Sequence, residues 1–357
     1  MEIGICTFGD IGTHPVTGDK IGPHERLRNL MEEISLADQL GLDVFAIGEH
    51  HRPDYAISAP AVVMAAAAER TKNIKLSSGV TVLSSEDPVR VYQQFATVDL
   101  LSGGRAEIMA GRGSFIESFR LFGYDLSDYD ALYAEKLHML QRINEQAVVN
   151  WQGKHTQTIQ NKGIYPRAYQ EKLPIWVAVG GTPESVVRAA EYGFPMMIAI
   201  IGGMPARFAP FAKLYRDVYK EAGHDAAAFQ LGINSHTYIA ADGKQARDEF
   251  FPTYAEVMTR IGKERGWNGL TREQFEYSTQ PQGALLVGSP QEVIDKILYE
   301  HELFGHTRFL AQMTIGALPH KLAMKSIKLL GDVVAPAVRK ADRGSVQGEA
   351  LGLGSRE

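Results

Sequence analysis

Short apolar runs rich in β-formers alternate along this chain with stretches whose apolar residues recur every three to four positions, the pattern of strands followed by helices. Glu2–Phe8 reads as a first strand. In His24–Leu40, residues Leu27, Leu30, Met31, Ile34 and Ala37 share one helical face, and Gly41 stands where a helix end favours a left-handed residue. Strands follow at Asp43–Gly48, Ile74–Leu83, Arg105–Ala110, Leu173–Val179, Pro195–Ile200, Phe229–Ala240 and Thr307–Gln312. Between them the spacing predicts helices near Ala59–Arg70, from Asp87-Pro88 to Ser102-Gly103-Gly104, and over Tyr129–Asn144, Thr182–Tyr192, Pro205–Ala222 and Lys244–Arg265. Ser289-Pro290-Gln291-Glu292, a capping box, opens a further helix to Phe304, and Lys321–Val338 is the last. Val148–Lys172 breaks the rhythm and reads as an insertion with a hairpin; the stretch before Leu286 reads as a loop.

No Pro/Gly/Ser-rich or charged linker divides residues 1–340, and only 341–357, with four glycines and few bulky residues, reads as a flexible C-terminal tail. Eight strand-helix units in one series predict an α/β chain folded as a single (β/α)8 TIM barrel with insertions at the C-terminal face. A doubly wound open sheet is the rival; the even count and the lack of a second domain weigh against it. In a barrel, function belongs to the loops that follow the strands.

Composition then removes whole classes. The chain has 37 Lys+Arg against 42 Asp+Glu, a net charge of −5, with 45% hydrophobic residues, so it is neither disordered nor basic enough for nucleic acid. Cys6 is the one cysteine, which precludes an internal disulfide. With no apolar run of about 18 residues and no secretory leader, the expectation is a cytoplasmic protein with no membrane or nucleic-acid partner.

Three clusters stand at strand ends. Gly48-Glu49-His50-His51 sets a carboxylate beside two imidazoles, suited to proton transfer, cofactor contact, metal binding or a purely structural role. Neighbouring residues on a strand face opposite ways, so both histidines line one pocket only if the chain turns there. Gly111-Arg112-Gly113 offers close backbone approach and a planar donor fork, although Ile116 breaks any G-x-G-x-x-G fingerprint, and Arg112 could equally pair with a structural carboxylate. Gly180-Gly181-Thr182-Pro183-Glu184-Ser185 runs from a strand into a helix N-terminus, a ready anion site, unless Thr182 serves only as the helix cap. A fourth feature, Ser77-Ser78-Gly79-Val80-Thr81, puts small residues where bulky ones are usual, which fits a bulge or a close approach.

In this order, together with Phe45-Ala46-Ile47 before Gly48, Asp87-Pro88-Val89-Arg90, Leu100-Leu101-Ser102-Gly103-Gly104-Arg105, Tyr165-Pro166-Arg167, Pro174-Ile175-Trp176 and Leu318-Pro319-His320, the clusters resemble the bacterial luciferase-like flavin-dependent oxidoreductase family. The resemblance implies a barrel that binds FMN, or in some branches a deazaflavin coenzyme, at its C-terminal mouth. It implies that the phosphate rests on Gly180, Gly181, Thr182 and Ser185 with Arg112 as charged partner, and that Gly79-Val80 is a non-proline cis peptide against the flavin ring. His50 matches the family's general base or proton donor, and Glu49 a residue near the flavin; both are the catalytic candidates. No metal is implied.

The activity so implied is a monooxygenase using reduced FMN as cosubstrate and O2 on a small organic substrate, such as an alkanal. Because the chain has no nicotinamide fingerprint, a separate flavin reductase is the implied partner, and a homodimer the implied assembly. A deazaflavin-dependent reductase or dehydrogenase, and an inert flavin-binding protein, are the alternatives. Substrate specificity is expected in Arg52–Ser58, Ser114–Asp128, Asn150–Lys172 and Ile201–Arg207, with Tyr55, Phe115, Phe119, Tyr124, Met204 and Phe208 as apolar candidates.

Overall fold

In the structure, a computed structural model that describes residues 1–113 and 115–350, eight parallel strands form a closed barrel. They are β1 (Glu2–Thr7), β2 (Val44–Ile47), β3 (Lys75–Ser78), β4 (Ala106–Gly111), β5 (Ile175–Val179), β6 (Met196–Ile200), β7 (Leu231–Ile239) and β8 (Arg308–Thr314). Pairing runs in sequence from β1 to β4 and from β5 to β8, with Ile175↔Ile108 joining β5 to β4 and Glu2↔Arg308 joining β1 to β8.

Helices α1 (Pro23–Gln39), α2 (Pro60–Ala68), α3 (Pro88–Ser102), α4 (Tyr129–Glu145), α5 (Pro183–Glu191), α6 (Ala209–Glu221), α7 (Pro290–Phe304) and α8 (His320–Leu329) connect them. The stop signals act as read. Asp87 accepts from the amide of Arg90 at the start of α3, Gly103 closes it at φ 68°, and Ser289 and Glu292 complete the capping box of α7.

The side chains that point inward follow the period of two along each strand. Gly4 and Cys6 of β1, Val44 and Ala46 of β2, Met109 of β4, Trp176 of β5, Met197 of β6 and Leu310 of β8 fill the barrel. Its lower end is closed by Arg308, 1% exposed, whose guanidinium lies 4.1 Å from the Trp176 ring centroid and donates to Glu2 and to both oxygens of Glu107 across the barrel. A larger apolar layer packs between strands and helices.

Four departures from the sequence reading have local causes. Val148–Trp151 and Ile159–Gly163 form the expected antiparallel hairpin, but the stretch 148–172 joins a helix to β5 along the outside of the barrel: its tip reaches the start of α3, where Gln157 donates to Asp87 at 3.1 Å, and its later part returns to the N-terminal end. Its Arg167 is held there by the carbonyls of Ile143 and Asn144. In the supposed loop before Leu286, Thr271 and Gln274 make a second capping box and start the helix Arg272–Ser278, while Leu286–Gly288 adds a short strand to β7. A small hairpin, Gly12–Thr13 with Lys20–Ile21, follows β1. Finally, the last helix passes Val338 and runs as Ala335–Ala350, where Asp342 pairs with the amino terminus; residues 351–357 lie outside the described residues.

Candidate functional site

A cavity of about 650 Å3 opens at the C-terminal end of the barrel. The inward period of two continues into it: Cys6 of β1 and Phe8 just after it, Ala178 of β5 and Gly180 just after it, Asn234 and His236 on β7, and Gln312 on β8. A long excursion after β7, the helix Gly243–Arg265 with Trp267–Ser278, covers one side through Tyr254, Val257, Met258 and Ile261. This cover packs on its own apolar cluster built around Tyr238, Phe250 and Phe275.

The chain leaves β2 at Gly48, where a Cβ would stand 2.4 Å from the Phe8 ring, so only glycine lets the two segments cross. That turn lets both His50 and His51 reach the cavity wall. His50 is buried, its ring centroid 4.4 Å from Phe8, 4.3 Å from Tyr55 and 5.4 Å from Phe115. Burial, with the charges of Arg52 and His51 beside it, pulls its pKa down to about 3, so the imidazole is neutral, and its Nδ1 has no hydrogen-bond partner.

Glu49 is engaged at both oxygens. Oε2 accepts from the amide of Val82 at 2.8 Å and Oε1 pairs with Nε2 of His51 at 2.8 Å, which raises the His51 pKa. Charge therefore sits on the Glu49–His51 pair, and His50 is the free neutral group. Between β3 and the short strand Thr81–Val82, Gly79-Val80 is a non-proline cis peptide, and both residues line the cavity.

Gly111 and Gly113 line the cavity and are also needed by their neighbours. A Cβ on Gly111 would meet Val80 at 2.7 Å, and one on Gly113 would meet Val82 at 2.9 Å, so these glycines admit the neighbouring valines. Gly180 is the opposite case. A Cβ there meets nothing within 4 Å, and at Gly181, φ +115°, only Phe211 at 3.8 Å. This is an open cradle at the N-terminus of α5. Beside it Arg112 donates to Thr182 Oγ1 at 3.3 Å and pairs with Asp130 at 2.7 Å, while the Thr182 and Ser185 hydroxyls are 2.7 Å apart. Thr182 occupies the cap position without a side-chain cap bond, so the helix leaves its hydroxyl to this cluster. Arg188, one turn past Ser185 and unnoticed in the sequence, holds a buried guanidinium nitrogen without a partner.

Of the specificity candidates, Tyr55, Phe115 and Phe208 line the cavity. Phe119 instead stacks on Tyr129, Tyr124 lies under the ammonium of Lys136, and Met204 borders a separate depression. Ser114 lies outside the described residues. Sequence reasoning missed the polar groups on the β1, β7 and β8 side of the cavity: Asp10, Asn234, His236 and Gln312. Their signal was available, since Asn234, His236 and Gln312 are polar residues at inward positions of apolar strands.

The family model for luciferase-like monooxygenases matches residues 1–307. The chain belongs to this family. Its relatives include the 4-hydroxyprotoasukamycin monooxygenase of Streptomyces nodosus subsp. asukaensis, 25% identical over an alignment of 332 positions that covers 86% of this chain and 86% of that one. An F420-dependent secondary alcohol dehydrogenase solved with an F420-acetone adduct superposes with a TM-score of 0.73 at 16% identity, covering 94% of this chain and 98% of the other. The oxygenating constituent of the Pseudomonas putida 3,6-diketocamphane monooxygenase, solved with FMN, gives 0.70 at 19%, with coverage of 94% and 98%. At these identities the two structures speak for the fold, a luciferase-like barrel. Among the described residues no helix is long and apolar enough to cross a membrane, and no three His, Cys, Asp or Glu side chains gather as a metal site.

Proposed function

We propose that this luciferase-like protein is an FMN-dependent monooxygenase taking reduced FMN and O2 to a small organic substrate. The observation that carries the reading is the open cradle at Gly180 and Gly181, flanked by Arg112, Thr182 and Ser185 on the rim of a cavity that holds the neutral His50. The residues fit a phosphorylated flavin: exposed backbone amides at a helix N-terminus, two hydroxyls and a guanidinium answer a phosphate, and the missing Cβ atoms leave it room.

Bound there, reduced flavin would supply the activation of O2 that no side chain can supply. The chain's own groups have separate tasks. The phosphate cradle and the ring wall at Gly79-Val80 orient. Glu49 positions, by holding Val82 and His51. His50, neutral and with a free ring nitrogen, receives or relays a proton among apolar rings that exclude water. Reduced flavin would come from a separate reductase, and a homodimer is the assembly proposed.

The test is to titrate the purified protein with FMN, reduced FMN and a deazaflavin coenzyme, then to admit oxygen to the reduced FMN complex and follow flavin absorbance. Micromolar binding of reduced FMN and an oxygen-dependent flavin signal support the proposal. Binding of the deazaflavin alone would shift the assignment to hydride transfer, and binding of none would overturn it.

A further inference from the structure

The wall opposite the phosphate cradle carries polar groups that the reading above leaves unused. Asp10 is 4% exposed; its Oδ1 accepts from the amide of Gly316 at 2.9 Å, and its Oδ2 has no partner. Gln312 is 2% exposed, and its Oε1 has no partner. Both line the cavity and both belong to adjacent segments, since Cys6 of β1 is in register with Gln312 of β8 and Asp10 follows β1 by three residues. Buried polar atoms are normally paired, and two cavity-lining residues that each keep an unpaired buried oxygen mark a place where a ligand completes the bonding. Around them lie Phe8, Tyr55 and Tyr254, an aromatic lining suited to a flat ring.

Two oxygen acceptors select a donor. A carbonyl has none to give, so beside ionised Asp10 a plain aldehyde leaves both oxygens unpaired and finds a donor only in the Gln312 amide NH2, whereas a hydroxyl donates to either oxygen. Burial lifts the Asp10 pKa to about 7, so near neutrality this carboxyl also exists as an acid, and a hydroxyl, which accepts as well as donates, pairs with it in both states.

We infer that the substrate is a hydroxylated aromatic compound whose hydroxyl is bound by Asp10 and Gln312, and that these two residues set specificity against simple aldehydes. The inference rests on the cavity being the oxygenase site, but it is tested by binding alone. The probes are 4-propylphenol, its isostere 1-fluoro-4-propylbenzene and 4-propylbenzaldehyde, titrated against the full chain with and without FMN by tryptophan fluorescence.

The phenol is expected to bind at least about tenfold more tightly than the fluoro compound, the ordinary worth of a hydrogen bond that fills an orphaned buried acceptor. Gln312→Leu should erase most of that preference. Asp10→Asn keeps an oxygen for the Gly316 amide and turns the remaining atom into a donor, so it should raise affinity for the aldehyde relative to the phenol, a change that mere loss of packing would not produce. FMN affinity, measured on the same samples, should not move. Equal binding of phenol and fluoro compound by the unaltered protein, or a preference that survives in both variants, would overturn the inference. Failure to bind FMN with the phenol preference intact would instead count against the proposed function alone.

Discussion

Replacing Gly180 by alanine separates the protein's own needs from those of a ligand. In the folded chain the added methyl meets no atom within 4 Å, and Gly180 is not among the glycines with positive φ. The folded state therefore accepts alanine without strain, while the unfolded chain loses freedom. Such substitutions stabilise by about 0.4–1 kcal/mol, about 0.5–1.5 °C in Tm for a chain of this size. The same methyl occupies the cradle. If a phosphate oxygen loses one charge-assisted bond to a backbone amide there, the loss of about 1.5–3 kcal/mol weakens FMN about 10- to 150-fold. Gly181→Ala is the companion: its Cβ also has room, but φ +115° costs the fold about 1–3 kcal/mol. Differential scanning fluorimetry and FMN fluorescence quenching read both quantities. A Gly180→Ala protein that is as stable as the parent yet binds FMN equally well would refute the cradle, and one that is destabilised would refute the open space.

Other outcomes are equally direct. Glu49→Gln keeps an acceptor for the Val82 amide but removes the charge paired with His51, so the His51 titration observed by NMR should move down; no movement would mean that the pair does not raise it. His50, His236 and His306 are buried, with pKa values held at about 3, 4 and 3, below the ordinary 6.5, so each contributes stability above 6.5 that is lost as pH falls. Asp10 and Glu300, raised to about 7 and 8, work the other way, losing their contribution as pH rises through those values. Thermal unfolding should therefore peak near about pH 6.5, and a Tm that stays level from there into the acid range would contradict the buried neutral histidines. Arg52, which donates to Glu117 and Glu264 and so joins the loop after β2 to those after β4 and β7, should on truncation to alanine speed FMN dissociation in stopped-flow measurements; an unchanged rate would leave it a surface ion cluster only.

The barrel was legible because each strand needed only its own apolar run and each helix only its own face, and Asp87, Gly103 and Ser289 mark boundaries through local chemistry. The site was legible in part. Gly180 through Ser185, the proposed phosphate cradle, form one contiguous stretch, whereas the glycines of Gly111-Arg112-Gly113 look the same in sequence and lie against Val80 and Val82, a distinction made by distant strands. The 150–172 loop was expected to share in specificity, yet it joins a helix to the next strand and none of its residues lines the cavity, a placement that the order of elements already suggested. Asp10 and Gln312 lie 302 residues apart, and only barrel closure through β1 and β8 makes them neighbours.

The plug of Arg308, Trp176, Glu107 and Glu2 has a kinetic meaning. A barrel stoppered at its base is a blind well, so whatever enters must leave by the way it came. On the proposed function, cofactor, substrate and product would share one doorway: a molecule bound against Asp10 and Gln312 would have to go before its successor arrives, and traffic through the mouth would set the order of events.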